Sequence, residues 1–305
     1  MGTSIRRSTL ILPVNIPHFV EKVYQRGADG VLLDLEDSVP PQEKENARRL
    51  IKDSIPVAAR GGAEVFVRVN KAPDLLEEDL AASVHPGLDG ITFPKTESAE
   101  EVHNLVRQVE SLEKKRGLTP GRIALALIIE TPRGVLNLEA IASASPRVKF
   151  MSVGPEDYCL ELGVEPSPDG MELFYAVSRM VVTAKANGIR PMGLLGSIGG
   201  FRDLVKYEEA ARRGRQLGCE GASGIHPDQI KVLNRVFSPD PEKVEQARRA
   251  AEAFEEGLKR GTASVNVDGK MVDVPVYNRA RLILERAKAV EEVERRKAEA
   301  LRRLK

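Results

Sequence analysis

Most of the short apolar runs in this sequence end in polar side chains that could take part in chemistry. Carboxylates predominate, together with one arginine, one lysine and one histidine. The candidates are Asp34, Glu36, Asp37, Arg68, Asn70, Lys95, Glu130, Glu156, Asp157 and His226. Because parallel α/β folds place reacting groups at the carboxyl ends of their strands, these side chains predict one site that is rich in carboxylates.

Glu130 and Asp157 are the first candidates for a metal site. Glu130 ends the apolar run Ile123–Ile129, and Asp157 follows the segment Val-Gly-Pro-Glu. Carboxylates at the ends of neighbouring strands converge, and like charges held close together need a cation or a proton. Oxygen ligands without a nearby His or Cys favour Mg²⁺ or Mn²⁺ over zinc. The alternative is that each carboxylate caps a helix or pairs with a lysine.

Arg68 lies inside the apolar segment Phe-Val-Arg-Val-Asn. An arginine buried alone at such a position costs several kcal/mol. It must therefore neutralise a neighbouring carboxylate or face the mouth of the fold, where it would bind a substrate carboxylate through two hydrogen bonds.

Three other candidates carry weaker signals. Asp34 and Glu36 share one face of a strand, because side chains alternate with a period of two. His226 lies in an Ile-His-Pro turn, where a structural or substrate-lining role is favoured over that of a general base. Cys159 has no positioned His or Asn partner that would make it a nucleophile.

The elements that would position these side chains alternate along the first 230 residues. Eight short β-branched apolar runs alternate with longer stretches of helical spacing. The runs are Arg7–Asn15, Gly30–Asp37, Glu64–Asn70, Gly90–Lys95, Ile123–Glu130, Val148–Asp157, Ile189–Ser197 and Gly218–Pro227. Strands that alternate with helices form parallel sheets, and eight such units predict a (β/α)₈ TIM barrel. A doubly wound open sheet is the alternative, but the first run has no Gly-x-Gly-x-x-Gly turn after it.

The pattern changes after Ile230. Pro239–Gly261 predicts an amphipathic helix, Thr262–Pro275 a hairpin about an Asp-Gly turn, and Tyr277–Lys305 a last helix. We therefore predict a barrel catalytic domain over residues 1–237 and a C-terminal helix–hairpin–helix extension over residues 238–305.

Composition excludes several classes of function. The 305 residues include 46 Lys or Arg and 45 Asp or Glu, for a net charge of +1. This balance gives no overall field that would attract nucleic acid or an anionic membrane. Trp is absent and aromatic residues make up 4% of the chain, so a stacking platform for single strands is not expected.

The cysteine content and the lengths of the apolar runs predict where in the cell the protein is located. Two cysteines without Cys-x-x-Cys spacing predict a reducing, cytoplasmic setting. The apolar run near the start is too short for the core of a signal peptide, and the longest run, Ile123–Ile129, has the length of a strand. We therefore expect no membrane-spanning segment.

Eight segments, in order along nearly the whole chain, carry a resemblance to a known family. The segments are RRSTLILPVN, GADGVLLDLEDSVPPQEKENAR, VFVRVN, FPKTES, LIIETPRGV, VGPEDYCLELG, GIHPDQIKVLNRVFSP and DGKMVDVPVYNRARLIL. Together they resemble the citrate lyase β-subunit-like (CitE-like) and malyl-CoA lyase group of the HpcH/HpaI aldolase superfamily. The resemblance implies a (β/α)₈ barrel in a homotrimer or hexamer. It also implies Mg²⁺-dependent making or breaking of a carbon–carbon bond between an acyl-CoA and a 2-oxo acid, with coenzyme A as part of the substrate.

The resemblance also assigns roles to individual residues. Glu130 and Asp157 would be the metal ligands, with Asp34 and Glu36 around them. Arg68 would act in catalysis by binding the substrate's carboxylate or oxo group, and Glu130 would also contact the substrate.

A further role falls on the C-terminal extension. Asp273, in the segment DGKMVD, would be the acid/base aspartate, carried on a hairpin lid that covers the barrel mouth of a neighbouring subunit. Arg6, Arg7 and Lys95 are candidates for contacts with the phosphates of coenzyme A.

Two positions depart from the family pattern. Met192 and the pair Ala222-Ser223 stand where many relatives carry charge, so the acyl group or the contacts with coenzyme A would differ. Three other functions stay open on the sequence. They are a malyl-CoA-type thioesterase on the same site, a 2-oxo-acid aldolase that needs no coenzyme A, and a non-catalytic subunit.

Overall fold

Eight parallel strands form one sheet in the computed structural model, which describes residues 5–304. Each strand from β1 to β6 pairs with the next along the chain, and β8 pairs with β1. The strands are β1 Ser8–Pro13, β2 Gly30–Asp34, β3 Glu64–Arg68, β4 Gly90–Phe93, β5 Ala124–Ile129, β6 Val148–Val153, β7 Arg190–Met192 and β8 Ala222–Gly224. The eight predicted runs thus all contain strands, and the (β/α)₈ fold is confirmed.

Helices follow the strands and cover the outside of the sheet. The helices up to β8 are α1 Pro17–Val23, α2 Lys44–Ala59, α3 Pro73–Ser83, α4 Ala99–Lys115, α5 Pro132–Leu136, α6 Leu138–Ser143, α7 Pro155–Leu162, α8 Met171–Ala186 and α9 Leu204–Leu217. The helix α10, Pro227–Val236, follows β8. Within residues 5–304, we find no helix with the length and apolarity that crossing a bilayer requires.

The gap between β7 and β8 is narrow. An isolated parallel bridge joins Met192 to Gly221, and the Gly193 backbone N–H donates to the Gly221 carbonyl at 2.8 Å. A side chain at position 221 would lie 2.1 Å from the Arg6 carbonyl oxygen, so only glycine allows this approach. These contacts nearly close the ring of strands.

The amino end of the barrel is filled by an arginine between two aromatic rings. The Arg6 guanidinium lies 4.0 Å from the ring centre of Phe66 and 3.8 Å from that of Phe150, and it pairs with Glu64 at 2.6 Å. Arg6 and Arg7 are buried and precede β1. Our assignment of these two arginines to the coenzyme A phosphates is therefore wrong, because they lie at the end of the barrel opposite the carboxyl ends of the strands.

One predicted element has a different extent. The run Val148–Asp157 was predicted as one strand ending in carboxylates, but the strand stops at Val153. Pro155 then begins α7, because its fixed φ suits the first helical position and its missing N–H is not needed there. Asp157 consequently lies in the first turn of a helix.

Residue contacts divide the chain into two units. One contains Arg6–Val236 together with residues 300–304, and the other contains Phe237–Glu299 together with Ile5. The first four residues of the predicted barrel domain and the last residue of the predicted extension lie outside the described residues.

The C-terminal unit contains the predicted helix–hairpin–helix. Its elements are α11 Pro241–Lys259, β9 Val265–Val267, β10 Lys270–Val272 and α12 Val274–Arg302. The turn residues Asp268 and Gly269 have φ of 51° and 77°, the conformation that an Asp-Gly hairpin turn requires. Phe254 of α11 stacks on Tyr277 of α12 with ring centres 4.7 Å apart.

Candidate active site

A cavity of about 260 Å³ lies at the carboxyl ends of the strands. Its charged lining comes from Arg68 at the end of β3, Glu130 directly after β5, Glu156 and Asp157 in α7, and Asp37 in the loop after β2. Apolar side chains form another part of the lining. They are Ile11, Ile128, Val153, Met192, Leu194 and Ile198. The structure therefore brings five of the ten candidate residues to one cavity, among them Arg68, Glu130 and Asp157.

Asp34 and Arg68 form a buried ion pair on adjacent strands. The register of β2 and β3 places the two residues side by side. Arg68 Nε and Nη2 each donate to Asp34 at 2.7 Å, and Asp34 has no exposed surface. Burial alone would raise the pKa of Asp34, but the hydrogen bond and charge of Arg68 outweigh it and hold that pKa below its usual range. The guanidinium is thus fixed in orientation.

Arg68 satisfies both sequence-based alternatives. It neutralises Asp34, and it also lines the cavity. Its remaining nitrogen, Nη1, lies 2.9 Å from Glu36 Oε2, while Glu36 Oε1 accepts a hydrogen bond from Lys95 Nζ at 3.1 Å. Glu36 is buried between these two cations, and burial raises its pKa.

Glu130 is a buried carboxylate with little positive charge around it. Its side chain is 3% exposed, and Oε2 accepts the Lys95 backbone N–H at 2.7 Å. Burial, followed by the negative charges of Asp157 and Glu36, raises the pKa of Glu130 to about 7. Gly154 leaves room for this carboxylate, since a Cβ there would lie 2.3 Å from Glu130 Oε1.

Asp157 occupies the first turn of α7. A carboxylate in a first turn is stabilised by the unpaired N–H groups and the dipole of the helix. Its nearest cation is Lys95, whose Nζ lies 3.5 Å from Asp157 Oδ1. Asp157 is about one-third exposed, so it can reach a ligand in the cavity.

A second layer holds the loop that carries the acidic residues. Lys44 Nζ donates to the carbonyls of Leu35 and Glu36 at 2.7 and 2.6 Å, and to Asn70 Oδ1 at 2.8 Å. Asn70 in turn donates to Asp79 through both its backbone N–H and its side chain. The candidate Asn70 therefore supports the loop and does not line the cavity.

Three other candidates lie outside the cavity lining. His226 is half-exposed and stacks on Phe201 with ring centres 5.4 Å apart. Cys159 is buried, and burial raises the pKa of its thiol, which disfavours a nucleophile. Asp273 belongs to the C-terminal unit, where its Oδ1 accepts the Val276 backbone N–H at 3.2 Å at the start of α12.

Comparisons with known proteins agree with this arrangement. The family model described as HpcH/HpaI aldolase/citrate lyase matches residues 7–227. The chain belongs to the HpcH/HpaI aldolase/citrate lyase family. It is 36% identical over 286 residues to citrate lyase subunit beta of Escherichia coli (strain K12), covering 93% of this chain and 94% of that protein.

Two further comparisons extend this result. The chain is 34% identical over 285 residues to the (3S)-malyl-CoA thioesterase of Cereibacter sphaeroides (strain KD131), covering 93% of this chain and 95% of that protein. The crystal structure of CitE from Mycobacterium tuberculosis, in complex with magnesium, acetoacetate and coenzyme A, matches with a TM-score of 0.72 at 27% identity. That match covers 93% of this chain and 99% of the other. Lyase and hydrolase relatives thus share this family fold.

The donor set of this family member suits a magnesium ion. Between residues 5 and 304, no cluster of three or more His, Cys, Asp and Glu side chains could hold a metal. Mg²⁺ needs no such cluster, because it usually takes one or two carboxylates and completes its shell with water and substrate oxygens. Glu130 Oε1 accepts no hydrogen bond from the described residues, and a cation beside it would relieve the excess negative charge. The two carboxylates therefore fit a partly hydrated divalent ion.

Two features of the site escaped the sequence analysis. Lys95 is a site candidate on the sequence, but its only specific role there is phosphate binding, whereas its ammonium lies among Glu36, Asp37 and Asp157. Gly154 was not considered, although the Gly-Pro pair after a strand is a signal for a turn into a helix. Neither role can be inferred without knowing which strand ends are neighbours.

We expect Asp34→Asn to destabilise the protein far more than Asp37→Asn. The first change leaves the mostly buried Arg68 without its full partner and should lower the free energy of unfolding by about 3 kcal/mol. The second removes the same charge from a half-exposed side chain, 3.7 Å from Arg68, and should cost less than about 1 kcal/mol. Urea unfolding of both variants measures the difference, and equal losses would contradict the structural role of Asp34.

Proposed function

We propose that this protein is a Mg²⁺-dependent carbon–carbon lyase. Its substrate would be a 3-hydroxyacyl-CoA such as malyl-, citramalyl- or citryl-CoA, cleaved reversibly to an acyl-CoA and a 2-oxo acid. The observation that supports this best is the convergence of Glu130, Asp157 and Arg68 on one cavity at the carboxyl ends of the strands. The magnesium, acetoacetate and coenzyme A bound by the M. tuberculosis relative agree with these substrate classes.

Glu130 and Asp157 would hold the metal ion, with Mn²⁺ as a possible substitute. The ion would supply a Lewis acid that stabilises negative charge developing on the substrate's oxygen. Glu130 is preset for this role, because the Lys95 N–H fixes one of its oxygens and leaves the other free.

Arg68 would orient the oxo-acid part of the substrate. Asp34 holds two of its nitrogens, so the guanidinium that lines the cavity keeps its orientation during the reaction. A donor that is already oriented stabilises developing charge at an oxygen without the cost of reorganisation. Glu36 and Asp34 act through Arg68 in this scheme.

Bond cleavage requires two proton transfers. A base takes the hydroxyl proton, the O–H electrons form the new carbonyl, and the C–C bond breaks toward the thioester, leaving an enolate. The enolate carbon then takes a proton to give the acyl-CoA. One acid/base group would give this proton to the enolate carbon during cleavage and would remove it in the reverse reaction. We assign this group to Asp273, supplied by the C-terminal segment of a neighbouring subunit in a homotrimer or hexamer.

A thioesterase is the second candidate function. It is favoured by the 34% identity to a (3S)-malyl-CoA thioesterase, which is close to the 36% identity to the citrate lyase subunit. Hydrolysis would use the same cavity with a water molecule directed at the thioester carbonyl. The products separate the two reactions, because hydrolysis releases thiol and leaves the hydroxy acid intact.

We expect the purified protein, with Mg²⁺ and a panel of malyl-, citramalyl- and citryl-CoA, to release a 2-oxo acid. Phenylhydrazine trapping detects the oxo acid, and a thiol reagent follows free coenzyme A in parallel. EDTA should abolish the signal, and Glu130→Gln and Asp157→Asn should each lower it by about 100-fold or more, because each removes a negatively charged ligand. Thiol without oxo acid would instead establish the thioesterase, and full activity in either variant would refute the ligand assignment.

Gly154→Ala should impair turnover while the protein stays folded. The backbone at Gly154 has a φ of −86°, which alanine adopts readily, but the new Cβ would overlap the Glu130 carboxylate and push it aside. A displacement of about 1 Å can cost 100-fold in rate. The matched control is Gly200→Ala, where an added Cβ meets no atom within 4 Å. Initial rates and thermal unfolding of the two variants test this, and equal rates would contradict it.

Co-expression of two inactive variants tests the assignment of Asp273 to a neighbouring subunit. Asp273→Asn keeps an intact barrel site, and Glu130→Gln keeps an intact C-terminal segment. If the two parts of each site come from different subunits, random mixing should restore about a quarter of wild-type activity. If Asp273 acts within its own subunit, the mixture stays inactive. Each variant expressed alone is the control.

A further inference from the structure

Lys95 adopts a backbone conformation that lysine usually avoids. Its φ is 49°, in the left-handed region, and among residues 5–304 only the hairpin residue Asp268 shares this feature without being glycine. A side chain in this region costs of the order of 1 kcal/mol, which glycine would not incur. The contacts of the Lys95 side chain therefore have to offset the free energy of this backbone conformation.

In this conformation the backbone N–H and the backbone carbonyl of Lys95 each bind one partner. Its N–H donates to Glu130 Oε2 at 2.7 Å, and its carbonyl accepts Lys71 Nζ at 2.6 Å. Lys71 also pairs with Glu97 and Glu101. The turn after β4 is thus anchored on both sides, and this anchoring does not depend on the Lys95 side chain.

The ammonium of Lys95 lies among three carboxylates, one of which is the proposed metal ligand Asp157. Nζ is 3.1 Å from Glu36 Oε1, 3.5 Å from Asp157 Oδ1 and 3.7 Å from Asp37 Oδ1. In the part of the chain that the structure describes, no other Lys, Arg or His nitrogen lies within 4 Å of Asp157. Lys95 is therefore the cation that balances Asp157, and it shares its charge with Glu36, its nearest partner, and with Asp37.

We propose that Lys95 is a built-in counter-ion, which holds the site's carboxylates together before the divalent cation binds and must leave Asp157 when it does. This inference rests on the proposed function, because it takes Asp157 as a ligand. An ammonium and a divalent cation repel each other strongly when both contact the same carboxylate. The Lys95 side chain is one-third exposed on a flexible four-carbon stem, so it can swing away while its backbone N–H stays on Glu130.

The displaced ammonium would remain at the cavity mouth, where the substrate brings its own carboxylate. Binding of the divalent cation by the carboxylates then strengthens binding of the anionic substrate by the released Lys95, and substrate binding strengthens cation binding in turn. Lys95 is in this view a positioning residue, which makes the site accept the cation and the anionic substrate together in preference to the cation alone.

The test compares Mg²⁺ binding by Lys95→Met and Lys114→Met. Both changes remove one ammonium and keep a long side chain, but Lys114 is exposed in the last turn of α4, at the opposite end of the barrel. Isothermal titration of EDTA-stripped protein with MgCl₂ should show about tenfold or tighter binding in Lys95→Met than in wild type, and no change in Lys114→Met. With pyruvate present, this advantage should shrink, because the variant has lost its partner for the carboxylate.

Thermal unfolding in EDTA gives a second readout that needs no metal. Lys95→Met should lower the Tm of the metal-free protein by about 3 °C or more, because the acidic cluster loses its counter-ion. Lys95→Gly removes the same charge and also relieves the backbone strain at position 95. Tighter Mg²⁺ binding in both Lys95→Met and Lys95→Gly therefore assigns the effect to charge and not to strain.

The two hypotheses fail in different ways. Wild-type-like or weaker Mg²⁺ binding in Lys95→Met, with wild type itself binding Mg²⁺, would overturn the counter-ion role and leave the proposed lyase intact. Absence of Mg²⁺ binding in all variants, even with pyruvate, would refute the metal site and the counter-ion role together.

Discussion

The buried ion pair between Asp34 and Arg68 is the interaction on which the rest of the candidate site depends. It joins the ends of two adjacent strands, and it fixes the only guanidinium that lines the cavity among the described residues. Once Arg68 is fixed, Glu36 must lie against its free nitrogen, and Lys95 must lie against Glu36. The position of each charged group thus follows from that of its neighbour, beginning at a pair whose carboxylate, Asp34, is fully buried.

This chain of contacts leaves the mouth of the barrel short of positive charge. Arg68 and Lys95 face the carboxylates Asp34, Glu36, Asp37, Glu130 and Asp157. Burial, together with the negative charges of Asp157 and Glu36, raises the pKa of Glu130. An acidic cluster of this kind is stable without a metal only because an arginine and a lysine lie within it. Its excess negative charge favours binding of a further cation, which is the physical basis for the proposed metal-assisted reaction.

The sequence predicts the (β/α)₈ fold well because apolar runs and stretches of helical spacing alternate regularly over the first 230 residues. It also predicts Arg68, Glu130 and Asp157 as site residues, because each follows a run that must be a buried strand. It cannot predict partners, since the distances of Lys95 from Glu36 and Asp157 depend on the register and curvature of the closed sheet. The expectation that Arg6 and Arg7 contact the coenzyme A phosphates is wrong for a related reason. The sequence does not show at which end of a strand a nearby charged residue lies until the first residue of that strand is known.

The packing of Arg6 between Phe66 and Phe150 separates the two ends of the barrel. Its charge is satisfied by Glu64 at the amino end, so it has no part in the electrostatics of the cavity. Stability at one end and chemistry at the other can then change independently over evolutionary time. Ile198 belongs to the cavity wall, and a protein engineer could diversify it without disturbing the packing around Arg6, whereas Met192 packs in the same buried cluster as Phe66 and Phe150.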